Sequence, residues 1–230
     1  MMDFVRANRI IARGHNIFWE DPRYTPAWVL NLTGEDLRSA VNRRISSLMT
    51  RYRSEFVHWD VSNEMLHFDF YESRLGKNAS YGFFAAAREY DSLATLFLND
   101  FNVVETCSDE KSTVDEYIAR VRELERYEGG GVRMDGVGLE GHFTVPNAAL
   151  MRANLDKLAS LELPIWLTEI DISSTLDRRT QVNLHFIDKY LPRINQHLDR
   201  LLVTNFGGLL LCFRRYIWSK CYVKGSRTHR

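Results

Sequence analysis

The chain has 230 residues, 45 % of them apolar, which suits one domain with a sizeable core and excludes a disordered chain. Its 30 Lys and Arg balance 30 Asp and Glu, so no overall field draws it to nucleic acid or to an anionic membrane. Three cysteines (Cys107, Cys212, Cys221) are too few and too scattered for a disulfide framework or a zinc site, and neither metal nor cofactor is expected.

The N-terminal stretch MMDFVRANRIIARGH reads as the last turns of an amphipathic helix running into a strand, with Phe4, Val5, Ile10 and Ile11 as its apolar positions. It has no apolar core of signal-peptide length, and a domain that opens inside such an element is expected to lack something upstream. RGHNIFW (13–19) reads as a strand. Leu37, Val41, Ile45 and Leu48 then fall at helical spacing, with Thr33 as N-cap and Glu35 and Asp36 in the first turn. FVHWDVSNE (56–64) is the second strand, SYGFFAAAREYD (80–91) a helix, and ATLFLND (94–100) the third strand. Thr113 and Glu116 form a capping box for a helix carrying Val114, Tyr117, Ile118, Val121 and Leu124, ended by the glycines at 129–131. DGVGLEGHF (135–143) is the fourth strand; Leu150, Leu155, Leu158 and Leu161 mark a helix; PIWLTEIDIS (164–173) is the fifth strand. The run 201–213 is broken by Asn205, Gly207 and Gly208 and falls short of the roughly 18 residues of a membrane span. The final RRYIWSKCYVKGSRTHR carries six Lys or Arg and no acid and reads as a solvated tail.

Alternating strands and helices predict a parallel sheet covered by helices. No glycine-rich phosphate loop follows any strand, so nucleotide-binding versions of such a sheet have no support. Each strand ends in polar residues: His15, Trp19 and Glu20; Asn63 and Glu64; Asn99 and Asp100; Glu140 and His142; Glu169 and Asp171. In parallel α/β folds that end of the sheet forms the site. Glu64 and Glu169, each directly after a small polar residue, are the carboxylate pair that glycoside hydrolysis requires, one protonated and one ionised. Read alone, such a pair is far more often exposed caps or ion-pair residues than a catalytic pair.

RGHNIFWEDPRYTPAW, FVHWDVSNE, LFLNDFN, GVGLEGHF and PIWLTEIDIS occur in this order, and together residues 3–181 resemble glycoside hydrolase family 10, in its plant endo-β-1,4-xylanase form. The resemblance implies an α/β fold, an incomplete (β/α)8 TIM barrel with strands three to seven recognisable and the first two and last missing or divergent. It implies hydrolysis of xylan with retention, Glu64 as acid/base and Glu169 as nucleophile. Asn63 would contact the 2-hydroxyl of the sugar being cleaved, His142 would orient Glu169, and Asp171 would brace His142. Trp19, Trp28, Asn99 and Phe101 match positions near the substrate groove. Glu20 and Glu140, read with the substrate-binding set, stand where many members carry His and Gln.

The motif pattern stops at Gln181. Residues 1–181 are therefore read as a partial catalytic barrel and 182–230 as a divergent segment that does not form the usual last strand–helix unit. Trp218 is not in a matching context. The expected partner is xylan or a xylo-oligosaccharide, with no nucleic acid, no membrane and a monomeric state. The family is largely secreted to the cell wall, but this sequence supplies no signal that would place it there. A non-catalytic or inactive fragment that keeps the acids without a closed barrel is the alternative, and weak or absent activity is expected of the 230 residues alone.

Overall fold

The computed structural model describes residues 2–106, 108–127, 131–172, 198–201 and 211–212, with backbone alone for 170–172 and for the two last segments. The basic tail, Trp218, and the glycines at 129 and 130 lie outside the described residues. So does the Asp171 side chain.

Helix α1 (Met2–Ala7) leads into β1 (Ile11–Trp19), followed by α2 (Ala27–Leu30) and α3 (Gly34–Arg51). Then come β2 (Phe56–Asn63), α4 (Glu72–Leu75), α5 (Ala79–Tyr90), β3 (Thr95–Asp100), α6 (Val114–Glu125), β4 (Gly136–Phe143), α7 (Ala148–Leu158) and β5 (Ile165–Ile172). Two short strands close the list, β6 (Leu198–Leu201) and β7 (Leu211–Cys212). Strands β1 to β6 are parallel neighbours in chain order, and β7 pairs antiparallel with the outer side of β1. A doubly wound sheet reverses its order part-way, whereas a barrel does not. This is the order of a barrel, left open among the described residues between β6 and β7. The sixth parallel strand carries no motif, which is why the sequence did not announce it.

Local signals placed the elements within a residue or two, with instructive differences. Thr33 is the N-cap of α3 but makes no side-chain capping bond. Thr113 does cap α6, accepting from the Glu116 N–H at 3.2 Å. That helix stops at Glu125, ahead of the glycines expected to end it. In α1, Val5 is buried but Phe4 is 59 % exposed, because so short a helix presents one apolar residue to the core. Leu37, Val41, Ile45 and Met49 of α3 bury one stripe against the sheet, as helical periodicity requires.

Inside the sheet's curve, Arg13 lies over the Phe97 ring at 4.9 Å, and His58 packs against Phe97 and Trp166 at centroid distances of 5.8 and 4.5 Å. Glycine makes room twice. A Cβ on Gly14 would fall inside the Trp59 ring, and one on Gly138 would sit 2.6 Å from Asn99 Oδ1. Gly14→Ala is therefore expected to lower stability by at least about 1–3 kcal/mol, the usual cost of overpacking, read as a drop in urea midpoint with unchanged m. A midpoint equal to wild type would show that Trp59 yields freely.

Candidate active site

Parallel strands in matched register bring their C-terminal ends to one rim. Trp19 pairs with Asn63, Asn63 with Asn99, Asn99 with Gly138, and Glu140 with Glu169. Register shifts occur at His15/Phe18, Asp60/Ser62 and Leu139/Glu140, close to that rim. Such bulges re-aim side chains. Glu64 and Glu169 therefore share the C-terminal face of the sheet.

Glu64 follows β2 at a left-handed backbone angle, φ 60°. That is a conformation a side-chain-bearing residue holds only when its surroundings impose it. Its N–H donates to the Asn99 carbonyl at 2.8 Å. Burial pushes its carboxyl up to about 7, and Asp100, Asp21 and Glu169 add to the rise, while the Trp19 indole works toward the ionised form. A carboxyl that keeps its proton close to neutrality can serve as a general acid.

Glu169 faces two imidazoles. His15 Nε2 and His142 Nε2 each stand 3.8 Å from one of its oxygens. Burial, then the Arg13 charge, pushes His15 down to about 4. It is neutral at pH 7, with Nδ1 2.9 Å from Asp60 Oδ2. His142 Nε2 is closer to Glu140 than to Glu169, at 3.1 Å. Glu140, His142 and Glu169 bring their polar atoms within 4.8 Å of one another. Asp171 pairs with His142 in the backbone register.

Asn99 ties the strand ends together. Its Nδ2 donates to Asn63 Oδ1 and Glu140 Oε1, both at 2.8 Å, and Thr168 Oγ1 donates to its Oδ1. Asn63 Nδ2, fully buried, has no hydrogen-bond partner among the described residues. A buried donor without a partner costs stability unless something else satisfies it.

Glu140 is buried, and desolvation lifts its carboxyl to about 8, with Glu169 and Glu64 adding to the rise against the His142 contact. Near neutral pH the protonated form is therefore favoured, the nearest a carboxyl comes to the Gln that many members carry there. A folded-state value above the unfolded one stabilises fully below about 4.3 and is lost as pH rises through about 8. Glu140→Gln should flatten the fall in melting temperature between those limits. A curve parallel to wild type would remove Glu140 from the account.

Two expected residues stand elsewhere. Glu20, read as substrate-binding, is 0 % exposed and accepts from Ser62 Oγ and the Tyr71 N–H, both at 3.0 Å. Both oxygens serve protein donors, so it shapes the loop after β2 and does not face a ligand. Trp28 is 63 % exposed and lines a cavity of about 410 Å³ with Trp19, Tyr24, Arg43 and Arg44. None of the four site glutamates lines it. Trp19 joins the two regions, stacked on Tyr24 at 3.9 Å and edge-on to His15 at 5.6 Å. The sequence did not single out Arg13, Asp60 or His67. His15 and Asp100 it flagged only as strand-end polar residues.

A sheet of barrel order with paired glutamates on its C-terminal rim defines a glycosidase-like α/β scaffold. The profile of the family described as "Glycosyl hydrolase family 10" matches residues 1–206, and the chain belongs to that family. The match continues past Gln181, where the recognisable motifs stop. Over 175 residues the chain is 45 % identical to endo-1,4-beta-xylanase 2 of Arabidopsis thaliana, covering 76 % of this chain and 16 % of that protein. Endo-1,4-beta-xylanase 5 of the same plant is 40 % identical over 175 residues, 75 % of this chain and 31 % of that protein. The chain thus spans less than a third of the length of either relative. Among solved structures, xylanase 10B of Thermotoga petrophila RKU-1 in complex with xylobiose superposes with a TM-score of 0.73 at 24 % identity, over 87 % of this chain and 63 % of that one. That likeness shows the TIM-barrel fold.

Proposed function

We propose that this site hydrolyses internal β-1,4 bonds of xylan with retention of configuration. Glu169 attacks the anomeric carbon while Glu64 gives its proton to the departing glycosidic oxygen, leaving a glycosyl–enzyme ester. Glu64, now ionised, takes a proton from water, the water oxygen attacks the same carbon, and Glu169 leaves. The observation that carries this reading is a pair of glutamates on one rim of the sheet, Glu64 buried just after β2 and Glu169 on β5 with two imidazoles 3.8 Å from its oxygens. Asn63, with its buried amide nitrogen unpartnered among the described residues, is suited to receive the sugar 2-hydroxyl. His142 and neutral His15 flank Glu169, each with Nε2 3.8 Å from one of its oxygens. Retention requires the two carboxyl groups about 5–5.5 Å apart.

The test is proton NMR of xylo-oligosaccharide cleavage. Initial release of the β-anomer supports the reading; the α-anomer first overturns it. The second reading, binding without turnover, is favoured by the sheet's open edge among the described residues. Saturable xylohexaose binding with no released product at any pH from 5 to 8 would select it. The expected substrate is a xylan chain bound by a monomer, and no helix among the described residues is long and apolar enough to cross a membrane.

A further inference from the structure

One partly buried cluster beside the site has no part in the chemistry above. The ring of His67 lies with Nδ1 2.6 Å from Asp100 Oδ1 and Nε2 3.0 Å from Asp109 Oδ2. It stacks on Phe101 at 3.7 Å and 8°. A neutral imidazole donates through one nitrogen only, so a carboxylate at each nitrogen calls for the charged ring. Asp100 is fully buried and also accepts from the Leu66 and Phe101 N–H groups at 2.8 and 3.0 Å. Asp109 also accepts from Asn102 Nδ2 at 2.9 Å, and Lys111 Nζ donates to the His67 carbonyl at 3.2 Å.

We propose that His67 is a positioning residue: charged and clasped between Asp100 and Asp109, it locks the turn that carries Glu64 onto the loop after β3. For its functional meaning the inference rests on Glu64 being the proton donor. Both joined segments contain a left-handed residue, Glu64 at φ 60° and Asn102 at φ 61°. Such backbone persists only where surrounding bonds over-determine it. Here the His67 and Phe68 N–H groups donate to the Glu64 carbonyl at 3.2 and 3.1 Å, and the Leu66 N–H just before them donates to Asp100. The acid's own turn is therefore fastened at three successive residues, 66 to 68, to Glu64 itself or to Asp100.

The charges facing His67 are Asp100 from β3 and Asp109 and Lys111 from the following loop. Those acting on Glu64 are Asp100, Asp21, Glu169, Glu140 and Arg23. Burial opposes a charge on His67, but Asp100 and Asp109 outweigh it and raise its proton affinity. A raised value places the clasp at low and neutral pH and loosens it as pH rises through that value.

The experiment uses the intact 230-residue chain, labelled with ¹⁵N-histidine, together with amide exchange. Both His67 nitrogens should read as protonated at pH 7. Exchange of the Leu66 amide, corrected for its intrinsic rate, should accelerate at least about tenfold as pH passes the His67 midpoint. His67→Gln should abolish that step. Asp109→Asn, at a partly exposed position, should lower the midpoint by about one pH unit. A single protonated nitrogen at pH 7, or a pH step that survives His67→Gln, overturns the clasp. No substrate enters these measurements. Failure to hydrolyse xylan would count against the proposed reaction and leave the clasp standing, and the converse result would do the reverse.

Discussion

Glu169→Ala is expected to reduce xylan hydrolysis by on the order of 10⁴-fold or more, since the carboxylate that forms the glycosyl ester is gone. Glu64→Ala should behave differently. A sugar leaving group needs a proton, so xylan cleavage should fall about 10²–10⁴-fold. An aryl xyloside with an acidic phenol departs unaided, and the first burst of phenol should survive, followed by slow turnover because no base activates water. Added azide should then restore turnover in Glu64→Ala, its small anion attacking the ester without needing a base. Equal losses for both variants on both substrates would show that the roles are wrongly divided. The pH profile supplies an independent check. With Glu64 titrating at about 7, the alkaline limb of kcat/KM should fall through that pH, and it should vanish for the aryl substrate's first step in Glu64→Ala. These measurements belong on the 230-residue chain and, if it proves inactive, on the same motifs within a closed barrel.

The strands and most helices were legible because their signals are local. Alternation, helical spacing and a Thr-x-x-Glu cap need no knowledge of distant chain, and Thr113, Val121 and Glu140 stand where those signals put them. The polar ends of the strands also named the rim that carries Glu64 and Glu169. What escaped the sequence depends on register between strands. Asp60 looks like one more charge in WDVSNE, yet pairing β1 with β2 sets it opposite His15. His67 lies in a loop with no periodicity, and its partners Asp100 and Asp109 are 33 and 42 residues away. Glu20 was misplaced for the opposite reason. A glutamate between Trp and Asp at a strand end reads as part of the substrate-binding set, and only the fold reveals that Ser62 and the Tyr71 backbone bond its two oxygens. Strand β6 was invisible because four residues, LDRL, carry too little pattern to identify.

Asp60→Ala should be the most damaging single change away from the reacting carboxyls. Asp60 and the Arg13 side chain are both 0 % exposed, and the carboxylate bonds Arg13 Nη2 through one oxygen and His15 Nδ1 through the other. Breaking a buried pair leaves an uncompensated charge, which costs about 3–5 kcal/mol, far more than the net worth of the pair. Against a typical total of about 5–15 kcal/mol, that is a large share of the stability, equivalent to about 10 °C in melting temperature for a chain of this size. His15 would also lose the partner that fixes its ring beside Glu169, so activity should fall beyond what the lost stability explains. The two effects separate in a second variant. Replacing both partners with apolar residues, Arg13→Met with Asp60→Leu, removes the stranded charge and should recover most of the melting temperature. It cannot restore the His15 anchor, so activity should stay low. Recovery of both together would mean that Asp60 acts on the site only through overall stability. A loss under about 1 kcal/mol in Asp60→Ala would show that Arg13 reaches water or another carboxylate, and that the pair does not hold β1 to β2.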